Sequence, residues 1–285
     1  MANVNAAPDR YYLPEPSTWP ITGSIALALL GFGAAFTVNS LTVGYILLAL
    51  GFAVLIYMMF GWFGTVVRES ESGKYNKRVD VSFRWGMSWF IFSEVMFFGV
   101  FFGTLYYMRV LSVPWLGEVD QKLLWPEFAP GWPVSGPGIA EKFTPMGAWG
   151  IPALNTLILL TSGVTITLAH WALKKDNRRA LVFWMMATVA LGLTFLGFQI
   201  YEYGHAYSDL NLKLTSGAYG ATFFMLTGFH GFHVTVGTIM LIVITIRCMK
   251  GHFTPEHHFG FEGVAWYWHF VDVVWLFLFI FVYWL

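Results

Sequence analysis

Two acidic residues, Glu94 and Asp272, lie deep inside long apolar stretches of this sequence. Each follows the charged residue that opens its stretch, Arg84 or Glu262, by ten positions. At about 1.5 Å per helical residue, both carboxyls lie about 15 Å into a helix, near the middle of a bilayer. An ionisable group at that depth is costly unless it is paired or neutral, which makes each a functional-site hypothesis. The alternative is a protonated or hydrogen-bonded carboxyl that serves helix packing.

Histidines accompany both carboxyls. His230 and His233 are three residues apart in the sixth apolar stretch. Helix rise brings His233 within one or two turns of Glu94 in depth, so we expect Glu94 to bond to His233 rather than to His230, as a structural carboxyl. His269 precedes Asp272 by three residues, so the two side chains share a helix face and could bond to each other. That pairing favours structure over catalysis.

Intramembrane histidines also suggest haem ligation, which requires ligands at matching depth. His269 lies about two turns from His233 in depth, too far for one iron between facing helices. The other histidines are scattered over several segments: His170, His205, His252, His257 and His258. The last three share a loop, but no cysteine accompanies them to form a zinc site. We therefore expect no catalytic centre, no cofactor ligand and no metal ligand in this chain.

The composition determines the class of protein that must position these groups. Of 285 residues, 57% are hydrophobic and only 11% are charged. A soluble domain is about one quarter charged, so an integral membrane protein is expected. The 16 basic residues balance 16 acidic ones, which leaves no surplus for nucleic-acid binding. The single cysteine, Cys248, excludes a disulfide framework and any cysteine-based metal cage within the chain.

Seven uncharged or nearly uncharged stretches predict seven membrane-spanning helices. Their continuous apolar character is typical of helices rather than of barrel strands, which alternate. The predicted spans cover residues 19–38, 42–66, 84–109, 142–174, 179–202, 213–247 and 262–285. With the N-terminus inside, 12 of the 16 lysines and arginines face the cytoplasm. The positive-inside rule therefore places the N-terminus in the cytoplasm and the C-terminus outside.

One long connection, 112–146, contains six prolines and three tryptophans. Proline opposes regular helix and tryptophan favours the membrane interface, so we expect an outer loop folded against the bundle or against a partner. Small residues four apart, Gly31 with Ala35 and Gly99 with Gly103, predict close helix contacts.

Three longer segments resemble a known family: Phe92 to Val95 (FSEV), Thr222 to His233 (TFFMLTGFHGFH) and His257 to Trp275 (HHFGFEGVAWYWHFVDVVW). They closely resemble subunit III of the haem-copper cytochrome c oxidases. The resemblance extends to the segments 16–23, 68–70 and 155–170, and so covers nearly the whole chain.

The resemblance implies an all-α integral membrane fold in which a two-helix and a five-helix bundle surround a V-shaped, lipid-filled cleft. Residues 1–67 would form the N-terminal segment with helices 1 and 2, residues 68–83 a cytoplasmic loop, and residues 84–285 the five-helix bundle with outer loop 112–146. The family's glutamate at the position of Glu94 is a reactive carboxyl that ligates neither haem nor copper.

The resemblance further implies a non-catalytic subunit of an aa3-type cytochrome c oxidase in aerobic respiration. Subunit I would be its direct partner, subunit II would belong to the same complex, and haem a, haem a3 and copper would lie in those partner subunits. Cytochrome c would be the substrate of the complex. The chain itself would stabilise subunit I, support proton uptake and bind structural phospholipids. The expected location is an energy-transducing membrane, the bacterial inner membrane.

The lipid-binding role is carried onto four residues: Arg247, Arg68, Trp62 and Phe63. The two arginines lie at the inner ends of spans, at headgroup height, and the two aromatic residues match positions beside acyl chains in the family's cleft. Charge and depth alone would make the arginines snorkelling anchors. The family's loop after span two commonly contains histidines, and residues 70–81 contain none. Imidazole contacts with lipid headgroups there are therefore not expected.

Two alternatives compete with this interpretation. Accessory subunits of quinol oxidases or nitric oxide reductases usually lack the first two spans, which this chain has. An independent proton-coupled transporter would use Glu94 and Asp272 and would show transport when reconstituted alone. An absorption spectrum of the isolated chain separates a third class, the b-type cytochromes, which would show a Soret band.

Overall fold

The computed structural model describes residues 11–139 and 141–285, without the side chains of residues 119 and 120. Residues 1–10, the start of the predicted N-terminal segment, lie outside the described residues. The described part contains no strand and seven helices long and apolar enough to cross a membrane. They are α1 (Trp19–Val38), α2 (Val43–Glu71), α3 (Lys77–Tyr106), α4 (Ile151–Lys174), α5 (Arg178–Ser208), α6 (Gly217–Lys250) and α7 (Phe259–Leu278). The predicted all-α fold with seven membrane-spanning helices is confirmed.

Two helices extend well beyond the predicted spans at the segment 68–83, where only residues 72–76 lie outside helix. α2 ends at Glu71, and Gly73, two residues further on, has a φ of +72°, the left-handed conformation typical after a helix C-terminus. α3 begins where the side-chain oxygen of Asn76 accepts hydrogen bonds of 3.1 Å from the backbone N–H groups of Arg78 and Val79. Charged residues propagate a helix readily, so the helix ends are set by these caps and not by where the apolar stretch stops.

α5 corrects another predicted boundary. The charge of Glu202 marks the end of the fifth span in the sequence, but α5 continues to Ser208 and Glu202 is only 1% exposed. α7 continues as a π-helix over Phe279–Trp284, and the hydroxyl of Tyr283 in this segment donates a hydrogen bond of 2.5 Å to Glu202 Oε1. A charged residue type can therefore lie inside a bundle when a neighbouring helix supplies a partner.

The chain divides into two compact units, Met1–Phe83 and Arg84–Leu285. In the first, α1 packs on α2 at glycines that allow close backbone approach. A Cβ on Gly33 would lie 2.7 Å from the backbone nitrogen of Leu48. The predicted contact at Gly31 is wrong, because no described atom outside the local helix backbone lies within 4 Å of a Cβ built there. The indole N–H of Trp19 donates to Thr65 Oγ1 at 3.3 Å and links the first turn of α1 to the last turns of α2.

The second unit is built around two buried tryptophans of α7, Trp268 and Trp275, both fully buried. Their indole N–H groups donate to hydroxyls of α4, Trp268 to Ser162 Oγ at 2.8 Å and Trp275 to Thr156 Oγ1 at 2.9 Å. A buried indole needs such a partner, and these two bonds fix α7 against α4. On α3, the predicted contacts at Gly99 and Gly103 are also wrong, since nothing lies within 4 Å of a Cβ at either position.

The segment 112–146 is largely non-helical, as its prolines predict, apart from short turns at Val113–Trp115 and Val119–Lys122. It packs against the start of α6. Backbone N–H groups of Ala218 and Tyr219 donate to the carbonyls of Ser135 at 2.8 Å and Val134 at 3.1 Å. The ring of Phe143 stacks on Tyr219 with centroids 5.3 Å apart. Of the two predicted settings, the loop therefore adopts the one against the chain's own bundle.

Candidate functional site: buried polar pairs and a histidine cluster

Glu94 and His233 meet between α3 and α6. Glu94 Oε2 lies 2.8 Å from His233 Nε2, and the side chains are 20% and 10% exposed. The hydrogen bond predicted from depth is therefore present. Tyr267 and Phe98 flank the imidazole, with ring centroids 6.4 and 5.0 Å away. The surroundings of the pair are therefore aromatic.

The other nitrogen of His233 determines how many protons this pair holds. His233 Nδ1 lies 2.6 Å from the carbonyl oxygen of Phe229, which can only accept, so Nδ1 carries a proton. The contact between Nε2 and Glu94 then holds one shared proton, either on a neutral carboxylic acid or on an imidazolium beside a carboxylate. The arrangement suits a stable hydrogen bond across two helices.

His230 does not take part in that pair. It is fully buried, and its Nε2 donates to the backbone carbonyl of Val271 at 3.2 Å. Its ring lies beside those of Phe195 and Trp275, with centroids 5.8 and 5.1 Å away. The preference for His233 over His230 as the partner of Glu94 is therefore confirmed, and His230 belongs to the aromatic packing of α5, α6 and α7.

His269 and Asp272 face the same side of α7 but do not form the hydrogen bond predicted for them. His269 Nδ1 lies 4.0 Å from Asp272 Oδ2, beyond hydrogen-bond distance. Asp272, 6% exposed, turns instead toward Gly163 of α4, where a Cβ would lie 2.5 Å from Oδ2. His269 Nε2 lies 3.4 Å from Thr167 Oγ1. The absence of a side chain at Gly163 leaves room for the carboxyl between the helices, which spacing along α7 alone does not reveal.

A cluster that the sequence analysis did not assemble lies where α4 ends and α7 begins. His170 comes from the last turns of α4, His258 directly precedes α7, and Glu262 lies in the first turn of α7. His170 Nε2 is 3.3 Å from His258 Nε2 and 3.3 Å from Glu262 Oε1. His258 Nε2 is 3.1 Å from the same carboxylate oxygen. The other oxygen of Glu262 pairs with the guanidinium of Arg84 on α3.

The four residues expected to contact lipid fall on both units. In the first, Trp62 and Phe63 are 42% and 60% exposed near the end of α2. Arg68, also exposed, donates to Thr65 Oγ1 at 3.0 Å, one turn back along the helix. In the second, Arg247 is half-buried near the end of α6, with its guanidinium 4.4 Å from the ring centroid of Phe253. Arg68 lies in the last turn of α2 and Arg247 in the last turn of α6.

In the last turn of α2, the carboxylate of Glu69 accepts hydrogen bonds from two tyrosines. Tyr75 and Tyr12 donate to the two oxygens of Glu69, at 2.7 and 3.1 Å. Burial raises the pKa of Tyr75 above its ordinary value, and the hydrogen bond to Glu69 raises it further. This contact ties the segment before α1 to the turn between α2 and α3 within the first unit.

Residues 9–285 match the family model described as cytochrome c oxidase subunit III. The chain belongs to the cytochrome c oxidase subunit III family. It is 43% identical over 275 residues to cytochrome c oxidase subunit 3 of Marchantia polymorpha, covering 96% of each chain. The subunit 3 proteins of Triticum aestivum and Latimeria chalumnae are each 42% identical, again over 96% of each chain. The resemblance seen in the sequence is therefore confirmed.

Membership of the subunit III family makes this chain a subunit of cytochrome c oxidase, an oxidoreductase complex with further subunits. Its seven apolar helices fit an integral membrane protein. Membership also suggests that haem and copper are held by other subunits of that complex.

Proposed function

We propose that this chain is the non-catalytic subunit III of an aa3-type cytochrome c oxidase in a bacterial inner membrane. In this proposal it stabilises subunit I, its direct neighbour, supports proton uptake by that subunit, and binds phospholipid. Subunit II belongs to the same complex, cytochrome c is the substrate, and haem a, haem a3 and copper lie in the partner subunits. The observation that carries the proposal is the subunit III match over residues 9–285.

Deletion of this chain from the purified complex tests the proposal. The expected result is an oxidase with unchanged haem spectrum and initial turnover, slower proton uptake, and faster loss of activity during turnover. Adding the chain back should restore both properties. Loss of haem or copper on deletion, or a Soret band from the isolated chain, would contradict a non-catalytic role.

We also propose the topology expected from the charge pattern, with the N-terminus cytoplasmic. Residues 1–67, the connecting segment 68–83 and residues 84–285 are the divisions of this proposal, with 112–146 on the outer side. The single natural cysteine, Cys248, is buried, so we expect labelling to come from an engineered cysteine at the surface. Lys74→Cys should react with a membrane-impermeant reagent only in inverted vesicles, and Lys122→Cys only in right-side-out cells. The reverse pattern would contradict the orientation.

For lipid binding, we propose that Trp62 and Phe63 contact acyl chains while Arg68 and Arg247 contact phosphate. Support comes from the exposure of Trp62, Phe63 and Arg68, and from the position of the two arginines in the last turns of their helices. Native mass spectrometry of the purified complex should show fewer retained phospholipids for Arg247→Ala and Arg68→Ala. Arg109→Ala, at the opposite ends of the helices, is the matched control. Equal lipid retention in all three variants would refute the assignment.

A further inference from the structure

An open groove of about 500 Å³ lies on the surface of the second unit, between α4 and α7. The carboxyl of Asp272 and the imidazole of His269 line it, together with apolar side chains such as Leu160 and Val273. We propose that this groove is a docking site for a membrane-spanning helix of another oxidase subunit, one of whose side chains donates a hydrogen bond to Asp272.

The carboxyl of Asp272 lacks a donor within its own chain. Its side chain is 8% exposed, and Oδ1 is buried without a hydrogen-bond partner among the described residues. Oδ2 lies 4.0 Å from His269 Nδ1, too far for a hydrogen bond. Buried polar groups in proteins are nearly always paired, because an unpaired one is costly. An unpaired carboxyl in a surface groove therefore points to a donor that comes from outside the chain.

The hydrogen bonds of His269 indicate which kind of group fits beside it. The hydroxyl of Thr167 donates to the carbonyl of Gly163 at 2.8 Å, so it accepts from His269 Nε2, 3.4 Å away. The neutral imidazole then has a lone pair on Nδ1, which faces Asp272 Oδ2 across 4.0 Å. A donor nitrogen or oxygen about 2.9 Å from each of these two acceptors would fit between them. A proton on the carboxyl itself does not close that gap.

The depth of the carboxyl favours a protein side chain over a lipid as the donor. Asp272 follows Glu262 by ten positions, which is about 15 Å along α7. The hydrocarbon core is about 30 Å thick, so the carboxyl lies near its middle, where acyl chains offer no donor. Lipid headgroups do carry donors, but they lie at the membrane boundary. A membrane-spanning helix presents amide, hydroxyl or amine side chains at any depth, and such groups hydrogen-bond across helices.

The apolar part of the groove also suits a helix. Its α4 side covers residues 160–171, about three helical turns. Leu160, Val164 and Val273 are 44%, 58% and 50% exposed and offer apolar contact area beside the polar pair. Membership of the subunit III family places the chain in a complex with further subunits, which supply such helices. The docking site depends on that membership and not on the proposed non-catalytic role.

Photocrosslinking in the whole purified oxidase complex tests the proposal. The photoreactive residue p-benzoylphenylalanine replaces Leu160, which lines the groove, and Asp272 is kept. We expect an adduct with a membrane-spanning peptide of another oxidase subunit, identified by mass spectrometry. An adduct with phospholipid alone, or no adduct, would overturn the proposal. Neither result would bear on the non-catalytic role, which deletion of the chain tests separately.

Two replacements of Asp272 separate the hydrogen bond from packing. Asp272→Leu has nearly the same shape but cannot accept a hydrogen bond, whereas Asp272→Asn keeps a carbonyl oxygen as acceptor and is the matched control. The fraction of this chain that stays with the complex is measured at increasing detergent concentration. We expect about 3–20-fold weaker retention for Asp272→Leu, the effect of one interhelical hydrogen bond, and retention near wild type for Asp272→Asn. Equal retention of the two variants would overturn the proposal. The crosslinking experiment decides alone if Asp272→Leu fails to assemble.

Discussion

Replacement of Glu94 tests whether this carboxyl is structural or moves protons. Glu94→Leu removes the partner of His233 Nε2, whose side chain is 10% exposed and has little access to water. Only this one atom loses its bond, because Nδ1 keeps the carbonyl of Phe229. The expected cost is about 1–2 kcal/mol, the range for an interhelical hydrogen bond in a membrane protein whose partner is left buried. Glu94→Gln should cost less, since the amide N–H can donate to Nε2.

The assay has two parts. Denaturation of the complex in increasing detergent should shift the folded-to-unfolded ratio of this subunit about 5–30-fold for Glu94→Leu. Glu94→Gln should shift it much less, and Glu127→Gln, in the exposed part of loop 112–146, should leave it unchanged. Oxygen reduction and proton pumping by the assembled complexes should stay near wild type. Loss of pumping by Glu94→Gln with assembly and oxygen reduction intact would refute the structural role and assign Glu94 to a proton relay.

Three further predictions concern packing and ionisation. Gly33→Ala should destabilise the α1–α2 pair by about 1–3 kcal/mol in a thermal unfolding assay, because the new Cβ meets the backbone of Leu48. Gly31→Ala, whose Cβ would enter open space, should be neutral or stabilising in the same assay. Tyr283→Phe leaves the buried Glu202 without its hydroxyl donor and should lower the free energy of unfolding in detergent by about 1–3 kcal/mol. Tyr201, which is 63% exposed, is the control, and Tyr201→Phe should leave this free energy unchanged. The folded state holds the proton of Tyr75 more tightly than the unfolded state, because its pKa is raised on folding. The stabilisation from this proton is therefore present below about pH 10 and is lost as the pH rises through the raised pKa. Tyr75→Phe should lose less thermal stability than the wild type over that pH range, and an identical loss would contradict this prediction.

The number of helices and several of their contacts can be predicted from the order of residues along the chain. Seven stretches without charge predict seven helices because the interior of a bilayer permits little else. The depth of a side chain in a helix is also a linear quantity, so Glu94 and His233 could be matched by counting residues. Which neighbouring helix a side chain faces cannot be obtained by counting residues. Nothing in the spacing of α7 indicates that Asp272 turns toward Gly163 and away from His269.

Glycine patterns show the same limit. Small residues four apart make a groove on a helix, but another helix must fill that groove before a contact exists. Gly33 and its partners on α2 are filled in this way, whereas Gly31, Gly99 and Gly103 face open space within their own units. The sequence pattern identifies positions where a backbone can be approached, and the packing of the whole bundle decides which are used.

The residues missed by sequence analysis have a common physical cause. Charged residues mark the ends of the predicted spans, so the sequence places Glu202 and Glu262 at the membrane boundary and not among the buried groups. Both are nevertheless buried, at 1% and 8% exposure, because Tyr283 and Arg84 on other helices supply partners. Whether a carboxylate at a span boundary is buried therefore depends on which side chains of other helices lie at the same level. For Glu262 these include His170, 92 positions away in the chain, which explains why the histidine cluster emerges only from the three-dimensional packing.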